Sequence, residues 1–134
     1  MFGSFDISTS ALTAQRTRLD TIASNIANIN TNIGLDGKNP YRRLFTVFQA
    51  QRTADGGTGV RVSRIGEDDT TPFPEKFVGF GNPLADSRGY MKMPNVNLST
   101  EMVDALETTR AYEANITAIE TTKSMMSSTL RLLA

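Results

Sequence analysis

The sequence predicts a mainly α-helical fold with a small β-rich insertion, in which two long terminal helices form an antiparallel, coiled-coil-like layer. Apolar residues recur every seven positions near both ends of the 134-residue chain. The region between them holds nine of the ten glycines and all five prolines, which interrupt helices. We therefore expect one inner domain, made of a helix within residues 1–33 and a second within 96–134, and a small middle β and loop domain over 34–95.

The N-terminal seam combines a line of residues seven apart with a companion line. Its members are Phe5, Leu12, Leu19, Ile26, Ile33, Ile22 and Ile29. A seam that repeats every 3.5 residues stays on one side of a helix only when the helix supercoils around a partner. We expect an N-cap at Asp6 or Ser8 and an end near Ile29 or Asn32, before the breakers that start at Gly34.

The C-terminal seam has the same form. Its members are Leu98, Ala105, Tyr112, Ile119, Met126, Leu133, Met102, Ile116 and Leu130. Asn97 or Ser99 is the expected N-cap, and Glu101 and Asp104 lie where the positive end of a helix favours acids. Three pairs spaced i, i+3 are expected to support the helix, namely Glu107 with Arg110, Arg110 with Glu113, and Glu120 with Lys123.

The middle region reads as short strands joined by turns. Aromatic and β-branched residues predict a strand from Arg43 to Ala50, and Val60 and Val62 begin a second. Residues 55–59 are expected to form either the connection of a hairpin or a mobile loop. A third, weaker strand is predicted from Lys76 to Phe80.

Composition argues against several classes of function. Fourteen basic and fourteen acidic residues cancel, which disfavours binding to nucleic acid. No apolar stretch reaches the ~20 residues of a membrane span, and the first residues lack a signal-peptide core. Cysteine and histidine are absent, so no nucleophile and base pair can be assembled. We expect no catalytic, cofactor or metal site, no small-molecule substrate and no membrane insertion.

Two local clusters have simple readings as turns. The glycines of residues 56–59 lack the Lys-Ser or Lys-Thr pair of a phosphate-binding loop, so we read them as part of the hairpin. Glu67, Asp68 and Asp69 lack the spacing of an EF-hand, so we read them as a solvated turn.

Polar residues on the two helices have two readings each. Asn25, Asn28 and Asn32 lie opposite the isoleucine seam, and either their amides bond across a subunit contact or they belong to a fraying last turn. Arg110 and Asn115 flank the seam tyrosine, either as interface groups or as solvated neighbours. A further polar residue, Lys123, interrupts the second seam, as residues that fix register do.

Five strings of the sequence resemble a known family. Residues 18–31 resemble the N-terminal signature of bacterial flagellar rod and hook proteins, and residues 110–115 resemble their C-terminal motif. Residues 40–43, 81–86 and 89–97 narrow the resemblance to the proximal rod proteins of the C type. The connection over 33–39 is longer than the turn usual in distal rod and hook relatives.

This resemblance implies a fold, a location and partners. The terminal helices would form an inner coiled-coil layer around the export channel of the basal body, with the middle domain outside it. The chain would be exported unfolded by the flagellar type III apparatus, without a cleavable signal peptide, into the periplasmic rod. Its partners would be other proximal and distal rod proteins, the adaptor between the rod and the membrane ring, and the ring itself as a further candidate.

Our first hypothesis is a structural, non-enzymatic subunit that assembles helically through its terminal helices and transmits torque. The apolar interface residues would be Leu12, Leu19, Ile22, Ile26, Ile29, Met102, Tyr112, Ile116, Ile119, Met126 and Leu130, and the polar ones Asn25, Asn28, Arg110, Asn115 and Lys123. The alternative is a soluble helical-hairpin adaptor or export-chaperone-like module. Terminal helices that are protected in a dilute monomer would favour the adaptor.

Overall fold

The structure is a computed structural model that describes residues 2–34 and 36–134. Along the chain, a long helix comes first, two small antiparallel sheets follow, and a second long helix comes last. This order confirms the predicted fold class. The elements are α1 (Phe2–Ala27), β1 (Leu44–Arg52), β2 (Thr58–Glu67), β3 (Glu75–Phe77), β4 (Tyr90–Lys92) and α2 (Leu98–Leu133).

Helix α1 begins earlier than predicted, and Asp6 and Ser8 lie inside it rather than at its cap. Tertiary packing explains the difference. Phe5 lies against the end of α2, and the backbone at Gly3 passes close to Asp55 in the hairpin. The helix also ends earlier, at Ala27, so the last seam positions of the predicted helix fall in a turn and a loop.

Helix α2 has 36 residues and is therefore about 54 Å long. The predicted cap at Asn97 is confirmed, because its side chain accepts a hydrogen bond from the Thr100 N–H at 3.2 Å. The two helices run antiparallel. Asn25, near the end of α1, touches Glu101 at the start of α2, and Phe5 lies in a groove at the opposite end of α2.

The three ion pairs predicted along α2 are not formed among the described residues. Glu107 instead lies 3.9 Å from Arg18 of α1. The side chain of Arg110 points into solvent, as do those of Glu113 and Glu120. The charges of Arg110, Glu113 and Glu120 are therefore available to other molecules.

Strands β1 and β2 form the predicted hairpin, which packs against α1. The pairing runs from Leu44 opposite Glu67 to Arg52 opposite Thr58, with a β-bulge after Val47. A positive φ of 82° at Gly56 closes the turn.

One serine of α1 bonds to the second strand of the hairpin. The Ser10 hydroxyl donates to the Ile7 carbonyl at 2.6 Å and accepts from the Val60 N–H at 3.1 Å. The backbone approaches this serine so closely at Gly59 that a Cβ there would lie 2.6 Å from the Ser10 Oγ. The strand and the helix are therefore in direct contact.

The smaller sheet pairs β3 with β4, from Glu75 opposite Lys92 to Phe77 opposite Tyr90. Strand β3 is shorter than the strand predicted from Lys76 to Phe80, because Gly79 adopts a positive φ of 91°. Strand β4 was not predicted, since three residues between turns carry too little periodic signal.

Candidate assembly surface

The most buried polar side chain of α1 is Asn25, which is 1% exposed. Its Nδ2 donates to the Leu44 carbonyl at 2.9 Å and to Glu101 Oε2 at 3.1 Å. Its Oδ1 accepts from the Tyr41 hydroxyl at 3.0 Å and from the Leu44 N–H at 2.8 Å. These four bonds use both donors and both acceptor positions of the amide.

A charged pair completes this contact from the side of α2. Glu101 is 0% exposed and accepts from Arg43 Nε at 2.5 Å. The same arginine reaches Asp104 at 3.3 Å, and Arg18 lies 3.9 Å from Asp104. A buried carboxylate is tolerated only when a cation and hydrogen bonds offset its lost hydration, and this arrangement supplies both.

The segment before α2 joins the same cluster through Asn95. Its Oδ1 accepts from the Arg43 N–H at 2.7 Å, and its Nδ2 donates to the carbonyls of Asp68 at 3.1 Å and Thr71 at 3.2 Å. We call Asn25, Tyr41, Arg43, Asn95 and Glu101 the polar joint. It ties both helices to both ends of the segment 34–95.

The surroundings of the polar joint shift two pKa values. Burial raises the pKa of Tyr41, and the negative charges of Glu101 and Glu67 raise it further. The pKa of Asp68 is well below its ordinary value, because its carboxylate accepts hydrogen bonds from the side chains and backbone amides of Thr71 and Thr70. Tyr41 therefore stays protonated and Asp68 ionised near neutral pH.

The structure places the predicted polar interface residues in different settings. Asn25 uses its bonds within the chain, which differs from the expectation of an intersubunit bond. Asn28 and Asn115 donate to carbonyls of their own helix, those of Ser24 and Ala111, at 2.9 and 2.8 Å. Short amide side chains satisfy local backbone groups in this way. A contact of these residues with a neighbouring subunit stays a prediction.

The remaining two polar residues, Arg110 and Lys123, are exposed. Lys123 lines an open groove of about 620 Å³ where the start of α1 meets the end of α2. We call this the end groove. It is lined by Phe5, Lys123, Met126, Ser127, Leu130, Arg131 and Ala134.

The predicted apolar seam is only partly covered by the helix pair. Ile22 is buried, and seven members are half-buried: Leu12, Leu19, Ile26, Ile29, Tyr112, Ile119 and Met126. Met102, Ile116 and Leu130 are exposed, Met102 to 60%. Pairing within one chain therefore leaves part of the seam in water.

Four of the exposed apolar residues of α2 fall on one face of the helix. Leu98, Met102 and Leu106 are four residues apart, and Ile116 continues the same face. We call these four residues the outer stripe. Contiguous exposed apolar surface of this kind marks a site of interaction with another protein.

Two kinds of site are absent from the described ranges 2–34 and 36–134. No group of three or more acids in them could hold a metal ion. Neither described helix is long and apolar enough to cross a membrane.

Sequence reasoning missed four of the five members of the polar joint as a functional group. Tyr41, Arg43 and Asn95 entered only as parts of the strings that carry the resemblance, and Glu101 only as an acid near the start of a helix. The sequence did carry a signal for the burial of Glu101. This acid lies 18 residues, or five turns of a straight helix, before the seam residue Ile119, so both residues lie on one face of α2.

Comparison with known proteins matches both ends of the chain. Residues 5–32 match the family described as flagella basal body rod protein. Residues 87–132 match the C-terminal family of flagellar basal body rod FlgEFG proteins. These two spans contain most of α1 and nearly all of α2.

Relatives match over nearly the whole chain. The flagellar basal-body rod protein FlgC of Yersinia enterocolitica is 48% identical, with 96% of this chain and 94% of the relative covered. FlgC of Salmonella typhimurium is also 48% identical over the same shares. FlgC of Bacillus subtilis is 37% identical, with 98% and 97% covered.

Proposed function

Because the chain belongs to the FlgC family of flagellar basal-body rod proteins, it is a structural subunit of the proximal rod, and we propose that it assembles helically through its terminal helices. It is not an enzyme, and membership of this family favours a rod subunit over the adaptor alternative. The observation that carries the proposal is the outer stripe of α2, a row of large apolar side chains that this chain leaves in water. Neighbouring subunits that cover the stripe would build a shaft around the export channel and transmit torque.

The predicted apolar interface divides into two parts under this proposal. The half-buried residues between α1 and α2 hold the pair together, and the exposed ones face neighbours. Of the polar set, Arg110 and Lys123 are the exposed candidates for contacts between subunits. The middle domain, tied to the pair by the polar joint, would lie outside this inner layer.

Membership of a rod family implies assembly with other rod components. The finer partners are part of our proposal: proximal and distal rod proteins, the adaptor between the rod and the membrane ring, and the ring itself. The exposed surfaces at both ends of α2 support more than one neighbour for each subunit.

The chain acts in the basal body, and we propose that it reaches the periplasmic rod unfolded, through the flagellar type III apparatus and without a cleavable signal peptide. On this route the polar joint would form after export. Its bond between Asn25 and Glu101 joins residues 76 apart in the chain, so it can form only after both segments have emerged.

Met102→Glu tests the proposed surface. Met102 is 60% exposed in the single chain, so the substitution should change the free energy of unfolding by no more than about 0.5 kcal/mol. In the rod it would bury an unpaired carboxylate. We expect cells that carry only this variant to lack assembled rods and motility, although the purified chain melts normally by circular dichroism.

Ser87→Glu is the matched control, because it adds the same charge to an exposed position of the middle domain. Control cells should assemble rods. Normal motility in Met102→Glu cells would show that the outer stripe is not an assembly surface.

A further inference from the structure

Charge is distributed unevenly along α2. Between residues 98 and 120 the helix has five acids and one cation, Arg110. From residue 121 onward it has two cations, Lys123 and Arg131, and no acid. Glu101, Asp104 and Glu107 are paired with Arg43 or Arg18, so the unpaired acids of the first part are Glu113 and Glu120, and the last part of the helix is basic.

This distribution is not explained by the helix dipole alone. The dipole stabilises charges within the first and last turns, whereas Glu113, Glu120 and Lys123 lie more than two turns from either end. None of these three residues forms an ion pair with another residue of the described ranges, and all three are exposed. Their charges lack partners within the chain.

Both charged parts also carry apolar surface. The outer stripe continues along its own helical face through Glu113 and Glu120, since Leu106 and Glu113 are seven apart, as are Glu113 and Glu120. The end groove offers Phe5 and Leu130 between two cations. The chain thus has two apolar surfaces of opposite charge at different heights of one helix pair.

We infer that the end groove of one copy receives the end of the outer stripe, at Ile116, of a second copy of this chain, with Lys123 and Arg131 facing Glu113 and Glu120. The inference rests on the proposed function and deepens it by naming the partner of the stripe. Two different, complementary surfaces on one chain form a heterologous contact, which repeats in one direction and builds an open helix. Opposite charges bring the surfaces together and fix their polarity.

The absence of cysteine from the sequence allows a direct test. Thr109→Cys places a thiol in the exposed face between Leu106 and Glu113, and Ser127→Cys places one in the end groove. These positions are 18 residues apart on one helix, about 27 Å, so a short cross-linker cannot bridge them within a chain. Cells that carry the double variant as their only copy are treated with a short bis-maleimide.

We expect covalent bands of two or more chains from assembled basal bodies of the double variant, and none from either single variant. Reversing both cations, Lys123→Glu with Arg131→Glu, should lower the yield about tenfold through like-charge repulsion. Adding Glu113→Lys with Glu120→Lys should restore it. Lys76→Glu with Lys92→Glu, two exposed cations of the middle domain, is the control and should leave the yield unchanged.

Three results would overturn the inference. Cross-linked pairs of the Thr109→Cys variant alone would mean a symmetric contact. A band that contains a different protein would mean that the partner is another rod subunit. Motile cells without any cross-link would refute this contact while leaving the proposed function intact, whereas Met102→Glu cells that swim would refute the proposed function itself.

Discussion

At the scale of single residues, Asn25 shows how burial gives an ordinary amide a specific role. The sequence indicates that an asparagine late in a helix needs a reason, because it is a weak helix former. It cannot indicate which reason, since the partners come from Tyr41, Leu44 and Glu101, which are distant in sequence. Inside the chain every donor and acceptor of the amide is used, so it holds three segments in one geometry.

Asn25→Ala should destabilise the folded chain by about 2–4 kcal/mol, because it leaves several buried groups without a partner, the Glu101 carboxylate among them. Denaturant unfolding of the purified chain measures this loss. Asn30→Ala is the matched control, since Asn30 is exposed in the turn after α1, and should cost no more than about 0.5 kcal/mol. Equal losses for both variants would contradict the role of the polar joint.

At the scale of elements, periodicity predicted the existence and type of the helices, and residue composition predicted those of the hairpin strands, but neither predicted all of the boundaries. The start of α1 depends on packing of its first turns against α2 and the hairpin, which local caps do not encode. In α2, a repeat of 3.5 residues and a turn of 3.6 drift apart along the helix. In the first turns of α2 the buried face therefore contains Glu101 and Thr108. The predicted seam residue Met102 lies outside this face and is exposed.

The contact between the hairpin and α1 makes a second stability prediction. Gly59→Ala should destabilise the chain by about 1–3 kcal/mol, because the new Cβ would lie 2.6 Å from the Ser10 Oγ and the strand would have to move away. Thermal unfolding followed by circular dichroism measures the effect.

Gly81→Ala is the control for this substitution, because an added Cβ there meets nothing within 4 Å. A Gly59→Ala chain that melts at the same temperature as the control would mean that the hairpin is not held closely against the helix.

At the scale of the whole molecule, the two ends of the helix pair differ: one end is held by the polar joint, and the other has the open end groove. The polar joint fixes both helices to the middle domain where α1 ends and α2 begins. At the other end the groove around Leu130 stays open. The seams predicted that the helices need partners. In the structure the other helix of the same chain covers part of each seam, and the remaining seam residues are left for other molecules to cover. The sequence could not predict this division, because a heptad line does not show which of its residues a given partner covers.

The most direct measurement is the reactivity of one thiol in the outer stripe, Leu106→Cys, in the isolated chain and in purified basal bodies. Leu106 is 54% exposed in the single chain, so a maleimide should label the cysteine rapidly in the isolated protein. In intact basal bodies labelling should be strongly suppressed, and it should return when the rods are dissociated. Equally rapid labelling in the intact rod would contradict the claim that neighbouring subunits cover this face.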